Sequence, residues 1–426
     1  MKRIFIAIFL IGLLFGMGSN IDCIGQSKYL PDTLIIKMKQ EKGRGLLNYQ
    51  RGISDLVFRS LDSLGFEVIL PDHITDIRLR GEIVDYDAYG FQLHTKEQKD
   101  SLNWKEIAAR KKFDPYHPIS LRDNSVCMLT GMRGKDSVYI IDQNNNKDFR
   151  DDTVRLVKPI DLYSREKLIP CDYTIFNGKK YVTAHTWMAI GTWRREGLWY
   201  QVLQHYTTGF NLDKSNYELE VYISESRFYT YRPQIAIIGG NGIRKDTVAP
   251  GEYVGVGEYI LLKEGVYRFA DLAQDCSYVT LVREDHYLDK SGIQPGLLAP
   301  AFKCNTTNGD SISSETYKGS YVLLVNISAC YSVPGSQEVY KDLAEKYGPK
   351  LDMVVIDRAG GYLKQIENWN QAGKLVNADT PDNKEFAKKY RPDYCSRTCF
   401  LIGPNGRIVD KFEIFDWEKN LAKHFK

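Results

Sequence analysis

An apolar run, Tyr321-Val-Leu-Leu-Val-Asn-Ile-Ser-Ala, ends at Cys330, and Tyr331-Ser-Val-Pro334 leads straight into a helical pattern. A strand that hands over to a helix at a cysteine restricts the local fold to an α/β crossover. It also places the thiol at a helix N-terminus, where backbone N–H groups and the helix dipole favour the thiolate, the nucleophile in disulfide and peroxide chemistry. A dithiol site would carry a second cysteine at 333, and Val333 stands there. The bland reading is also open: an unpaired cysteine is among the most buried residue types and can be inert.

A chain of 426 residues exceeds what one core usually holds, so two or three domains are expected. Lys+Arg 57 against Asp+Glu 54 gives a net charge of +3, which offers no basic field for a nucleic-acid partner. The first 25 residues read as a targeting segment. Lys2 and Arg3 precede the apolar stretch Ile4 to Phe15, which is too short to span a bilayer, and small and polar residues follow. Cleavage after Gly25 is expected. A lipid anchor at Cys23 is the alternative, with Asp22 a poor neighbour for it. No later segment is long and apolar enough for a membrane helix. The expected location is therefore outside the cytoplasm, in the periplasm or cell envelope.

Export puts the thiols in a disulfide-permissive compartment. The eight cysteines are Cys23, Cys127, Cys171, Cys276, Cys304, Cys330, Cys395 and Cys399. Loss of Cys23 with the leader leaves an odd number, so at least one thiol lacks an intramolecular partner. There is no CxxC, and the seven histidines are scattered, so no zinc site can be read.

Residues 26–290 read as mainly β. Short alternating runs at 33–38, 66–70, 137–141, 217–223, 234–238 and 278–282 lie between turn signals, and abundant tyrosine suits strands. One helix is expected over 52–64, from the stripe Leu56, Val57, Leu61 and Leu64, and 95–120 reads as a polar excursion. The runs at 137–144 and 234–241 resemble each other, each a strand entering a polar turn. Two β-units, at about 26–155 and 156–290, would explain this. A turn-rich linker over 288–296 marks a change to strands alternating with helices. The expected architecture is multidomain α+β: a β-rich N-terminal region followed by an α/β domain over 291–426. Asn308-Gly309 signals a hairpin. Helices are expected after Pro334 up to the stop at Gly348, over 382–390, and after a capping Asp416, and strands over 321–327, 351–356, 399–402 and 407–414.

Ala299-Pro-Ala-Phe302, Tyr317-Lys-Gly319, the strand into Cys330, and Phe400-Leu-Ile-Gly-Pro-Asn-Gly-Arg-Ile-Val409 follow one another in an order and spacing that resemble the thioredoxin superfamily. The resemblance is to its TlpA-type and AhpC/TSA (peroxiredoxin-like) branch of exported redox proteins, and it covers about 292–426. It implies a thioredoxin-like fold and thiol chemistry on a protein thiol, a disulfide or a peroxide, with no cofactor required. Of the family's dithiol, Cys330 keeps only the attacking position, so the site is degenerate. Where a TlpA-type protein has its cis-proline, this chain has Arg397. Peroxiredoxins carry an arginine at that place in an Arg-x-x-Phe motif, so the resemblance implies that Arg397 stabilises a Cys330 thiolate; a surface salt bridge is the plain alternative. The hydroxyl residue that peroxiredoxins carry three places before the cysteine is Ile327 here. Cys395 and Cys399 flank the loop that faces the active cysteine in this family and are candidate resolving thiols. A structural disulfide and a small core residue are the respective alternatives. A rival for the whole domain is a non-catalytic scaffold that binds an unidentified protein partner.

Asp142-Gln-Asn144-Asn-Asn146-Lys-Asp148-Phe-Arg-Asp-Asp152 places oxygen ligands at alternate positions, as a calcium loop does. Asp142, Asn144, Asn146, Asp148 and Asp152 are the candidate Ca²⁺ ligands. Lys147 holds the sixth position, where glycine is usual, and Thr153 the twelfth, where glutamate is usual. A polar turn between strands is the other reading.

Overall fold

The computed structural model describes residues 31–47, 59–60, 66–97, 113–114, 117–161, 164–193, 195–223, 228, 233–248, 250–327, 336–357, 374–391 and 396–425. Three bodies are built from these residues: two β-sandwiches and one α/β layer.

The first sandwich packs a five-stranded antiparallel sheet (Arg59–Ser60, Thr75–Ile83, Ser125–Arg133, Asp136–Ile141, Arg155–Leu156) on a three-stranded one (Ile169–Phe176, Tyr181–Trp193, Arg195–Val202). Alternation decides the packing. Val126, Met128, Tyr139 and Ile141 of one sheet meet Cys171, Tyr173, Met188, Tyr200 and Val202 of the other, all buried. Each fully buried side chain of this size contributes about 1.5–3 kcal/mol.

The second sandwich packs a six-stranded sheet on a four-stranded one. The six are Ile243–Arg244, Gln234–Gly240, Ser215–Tyr222, Gln204–Leu212 and Lys39–Lys42, with Val254–Gly255 added beside Gln234–Gly240. The four are Thr33–Lys37, Tyr278–Arg283, Gly265–Leu272 and Tyr259–Leu262. Their shared core includes Ile36, Met38, Leu219, Val221, Ile235, Tyr267, Phe269, Val279 and Leu281. The first two strands thus belong with the last ones: Thr33 pairs Val282, and Lys42 pairs Gln204. A division of the β-region near 155 does not match this pairing. The first sandwich is instead inserted between Lys39–Lys42 and Gln204–Leu212 of the second.

Two further expectations change. Arg59 and Ser60, inside the helix expected over 52–64, form a strand paired with Gly81 and Arg80, and the rest of that segment lies outside the described residues. A helix, Tyr86–Glu97, sits in the region read as mainly β. Asp85 starts it: its carboxylate accepts the Ala88 N–H at 2.9 Å. Asn124 fixes Asp85 in turn, accepting its N–H and donating to its carbonyl. Of the expected strand over 66–70, only Ile69 makes a bridge, to Asp148.

The C-terminal body has a five-stranded sheet in the order Lys374–Asn377, Asp352–Asp357, Val322–Asn326, Thr398–Ile402, Ile408–Glu413. The first three strands are parallel and the last two join antiparallel. Val322–Asn326 is central and buried on both faces. Leu323 and Val325 pack with helices Ser336–Tyr347 and Trp417–Leu421 through Leu343, Tyr347, Trp417 and Leu421. Val322 and Leu324 pack on the other face with Phe386 and Tyr390 of helix Lys384–Tyr390. The Asn308-Gly309 turn joins the paired strands Lys303–Asn305 and Ser311–Ser313, with Gly309 at φ +88°. Asp416 precedes the last helix, but its carboxylate makes no capping bond. Instead Asn420 Nδ2 donates to the Asp416 carbonyl.

The segment near 290 is clamped rather than loose. The Gln294 amide exchanges two hydrogen bonds with the backbone of Tyr259, at 2.6 and 2.9 Å. Arg407 donates to the carbonyls of Leu288 and Gly296, and Lys411 reaches Glu258 at 3.4 Å. Leu297 is buried with Tyr259 and Tyr287. Among the described residues, no helix is long and apolar enough to cross a membrane.

Candidate functional site

Cys330 and Cys395 lie outside the described residues, as does Cys23. What surrounds the end of the strand that leads to Cys330 is described. It is a buried polar cluster that reading the sequence missed.

Asn326 ends the central strand and is wholly buried. Its side-chain amide donates to the carbonyls of Tyr390 and Thr398, both at 2.8 Å. These carbonyls stand at a helix end and at the start of a strand, where backbone groups commonly lack partners, so Asn326 satisfies them without water. Arg391 follows helix Lys384–Tyr390, its N–H closing the last turn on Ala387. Its guanidinium is buried. It donates to the Ile356 carbonyl at 2.8 Å and to Asn326 Oδ1 at 3.4 Å, and lies 3.8 Å from the Asp357 carboxylate, also buried. Arginine suits such a place: its planar fork spreads donors over several acceptors at once. A sequence signal did exist. Asn326 and Asp357 are polar residues closing two neighbouring apolar strands.

Arg397 makes its described contacts with Glu413 and Phe415. Its guanidinium lies 3.8 Å from the Glu413 carboxylate and over the Phe415 ring, 5.1 Å from its centroid. Its carbonyl accepts the Ile414 N–H. This is the salt-bridge arrangement, with the charge shared by Glu413.

Cys399 sits inside strand Thr398–Ile402, opposite Val325 and Phe412, with no exposed surface. Burial pushes its thiol far up from its ordinary pKa. A buried, protonated thiol is a poor nucleophile, so Cys399 is set aside as a resolving thiol; it fills the core as a small residue. The other described cysteines are alike. Cys127, Cys171, Cys276 and Cys304 are buried and unpaired, and burial raises each thiol, Cys127 to about 11 and Cys304 to about 12.

In the 142–152 loop the candidate ligand oxygens take hydrogen bonds from the loop itself. Asp142 accepts the N–H groups of Asn146 and Lys147, each at 3.0 Å. Asn144 Oδ1 and Asn146 Oδ1 accept the N–H groups of Asn146 and Asp148, at 3.2 and 2.7 Å. Asp148 turns to Arg150, which donates to it through its N–H, Nε and Nη2. Asp152 Oδ1 accepts the Gln143 N–H, and Asp152 Oδ2 alone is buried without a partner. Ca²⁺ needs six to eight oxygens converging on one point. Here several of them also accept the loop's own N–H groups, and a cation of the chain itself, the Lys147 ammonium, lies 3.5 Å from Asp142 Oδ2. Among the described residues, no group of three or more His, Cys, Asp or Glu side chains is placed to hold a metal.

Asp152 carries a testable consequence. Burial, its largest influence, raises its pKa to about 6. The folded protein therefore holds this proton more tightly than the unfolded chain, whose aspartates titrate near 3.9. For this group stability is highest at low pH and falls as pH rises from about 4 to about 6. Asp152→Asn is expected to stabilise the protein at pH 7.5, by about 1 kcal/mol after solvent screening, and to change nothing below pH 4. Urea unfolding at both pH values checks it.

No family model matches the chain, and no curated protein matches it. Solved structures similar to part of it include the thioredoxin domain of a thiol-disulfide oxidoreductase from Bacteroides vulgatus, with 22% identity, 32% of this chain and 100% of that one covered, and a TM-score of 0.27. A thiol:disulfide interchange protein from a Bacteroides species matches at 22% identity over 33% of this chain and 91% of that one, TM-score 0.26. A thiol-disulfide oxidoreductase from Bacteroides fragilis matches at 21% over 30% and 98%, TM-score 0.25. These neighbours are thioredoxin-like and match about a third of the chain at low identity.

Proposed function

We propose that the C-terminal domain is a thiol-dependent oxidoreductase of the cell envelope that works through one cysteine, Cys330. The observation that carries this reading is the buried Arg391–Asn326–Asp357 cluster at the end of the strand that runs into Cys330. Cys330 is three residues beyond Ile327, so chain length alone keeps its Cα within about 11 Å of that residue's. The cluster fixes the end of this strand, and so the start of the segment that carries the thiol, while Asp357 balances the Arg391 charge.

The chemistry follows from the single thiol. Attack of the Cys330 thiolate on a disulfide forms a mixed disulfide and expels one thiolate, which takes up a proton. Release then needs a second thiol, from the substrate, from a small molecule or from Cys395. With a peroxide, the thiolate takes one oxygen to give a sulfenic acid, and the leaving alkoxide or hydroxide is protonated. No metal or cofactor enters either step. The two β-sandwiches then serve to present the domain, with no thiol of their own exposed among the described residues.

Peroxide consumption and exchange with a mixed-disulfide substrate, measured on the wild type and on Cys330→Ser, test this reading. Wild-type turnover above background that Cys330→Ser abolishes is the expected result. Equal rates in both proteins would remove Cys330 from the chemistry.

A further inference from the structure

The 142–152 loop has the ligand spacing of a calcium loop, and it buries the ammonium of Lys147 beside Asp142. We propose that the Lys147 ammonium is the resident counter-ion of this loop: it supplies from within the chain the positive charge that such loops take from a divalent ion, so the first sandwich folds independently of Ca²⁺.

Three observations meet at this residue. Lys147 is buried, with 1% of its side chain exposed, and its Nζ lies 3.5 Å from Oδ2 of Asp142, which has no exposed surface. A buried lysine demands partners, and Nζ has them: it donates to the Ser125 carbonyl at 2.9 Å and to Asn145 Oδ1. The backbone is the second observation. Lys147 stands at the position where a calcium loop has glycine, and it takes the left-handed φ of +69° that glycine would take. A lysine holds that conformation only where its contacts over-determine it. The third is the use made of the loop. The Lys147 carbonyl accepts the Ile69 N–H, and the Phe149 N–H donates to the Ile69 carbonyl, so the loop pins the neighbouring segment to the sheet. Phe149 itself is fully buried. A loop that anchors part of the core must be closed under all conditions, and a covalently attached cation cannot dissociate.

The test uses the whole mature chain. Its melting temperature in EDTA should equal that in millimolar Ca²⁺, and Tb³⁺ should show no saturable sensitised luminescence. Lys147→Met leaves the buried Asp142 charge without its counter-ion, and should melt lower by roughly 6–20 °C, with Ca²⁺ absent. Asp142→Asn with Lys147→Met removes both charges and should regain most of that loss. A Ca²⁺-dependent rise in the wild-type melting temperature, or saturable Tb³⁺ binding, would overturn the proposal. So would a Lys147→Met protein as stable as wild type. Should that single variant fail to fold, the double variant decides. If it folds and is indifferent to Ca²⁺, the pair is upheld; if it too is unfolded, the pair is refuted.

Discussion

Arg391→Met is expected to cost the C-terminal domain about 3–5 kcal/mol, because it breaks a buried charge pair by removing one partner only. Asp357 would be left charged and buried, and the Ile356 carbonyl and Asn326 Oδ1 would each lose a donor. The effect should be local. Hydrogen exchange should speed up in Val322–Asn326 and Asp352–Asp357, whose ends the guanidinium joins, and stay unchanged in the two sandwiches. Adding Asp357→Asn should restore part of the loss, since the buried carboxylate that faced Arg391 then carries no charge. A variant with unaltered exchange in both strands would show that the cluster does not hold the end of the sheet.

Val333→Cys is expected to give the largest gain in activity. It restores the two-residue spacing of a dithiol, and a resolving thiol held that close acts at a very high effective concentration. The mixed disulfide would then be released internally, and reduction of a test disulfide such as insulin should rise on the order of 10²-fold or more. Efficient insulin reduction by the wild type would contradict this, because it would mean that another thiol already resolves. No gain in the variant would point to a surface remodelled for binding.

The C-terminal sheet was legible because its strands announce themselves locally. Val322–Asn326 is apolar on both faces, and Asn308-Gly309 makes a turn by its own conformational preferences. The sandwiches were half legible. Their strands alternate and were seen one by one, but partnership was not. Thr33 pairs Val282 and Lys42 pairs Gln204, and no local pattern records a pairing across so long a stretch of chain. The run around 52–64 misled for a related reason: a short apolar run fits a helical stripe and a strand equally, and pairing with Arg80 and Gly81 decides for a strand at Arg59 and Ser60. The Arg391 cluster was missed because three separate segments contribute to it, and the polar ends of the two strands, Asn326 and Asp357, were its one local sign. In the 142–152 loop the ligand spacing was read as it stands. What it did not show was the course of one side chain, Lys147, which turns inward to acceptors that include the Ser125 carbonyl.

The rate of alkylation of Cys330 by iodoacetamide against pH, followed by mass spectrometry of the peptide that carries it, bears most directly on the single-thiol mechanism. The expected result is rapid labelling of the native protein with a midpoint below about 8.5, the value of a free cysteine. Cys127, Cys171, Cys276, Cys304 and Cys399, all buried, should label only after unfolding. A midpoint at or above the free value, or no labelling of Cys330 in the native state, would contradict the mechanism and leave this cysteine inert.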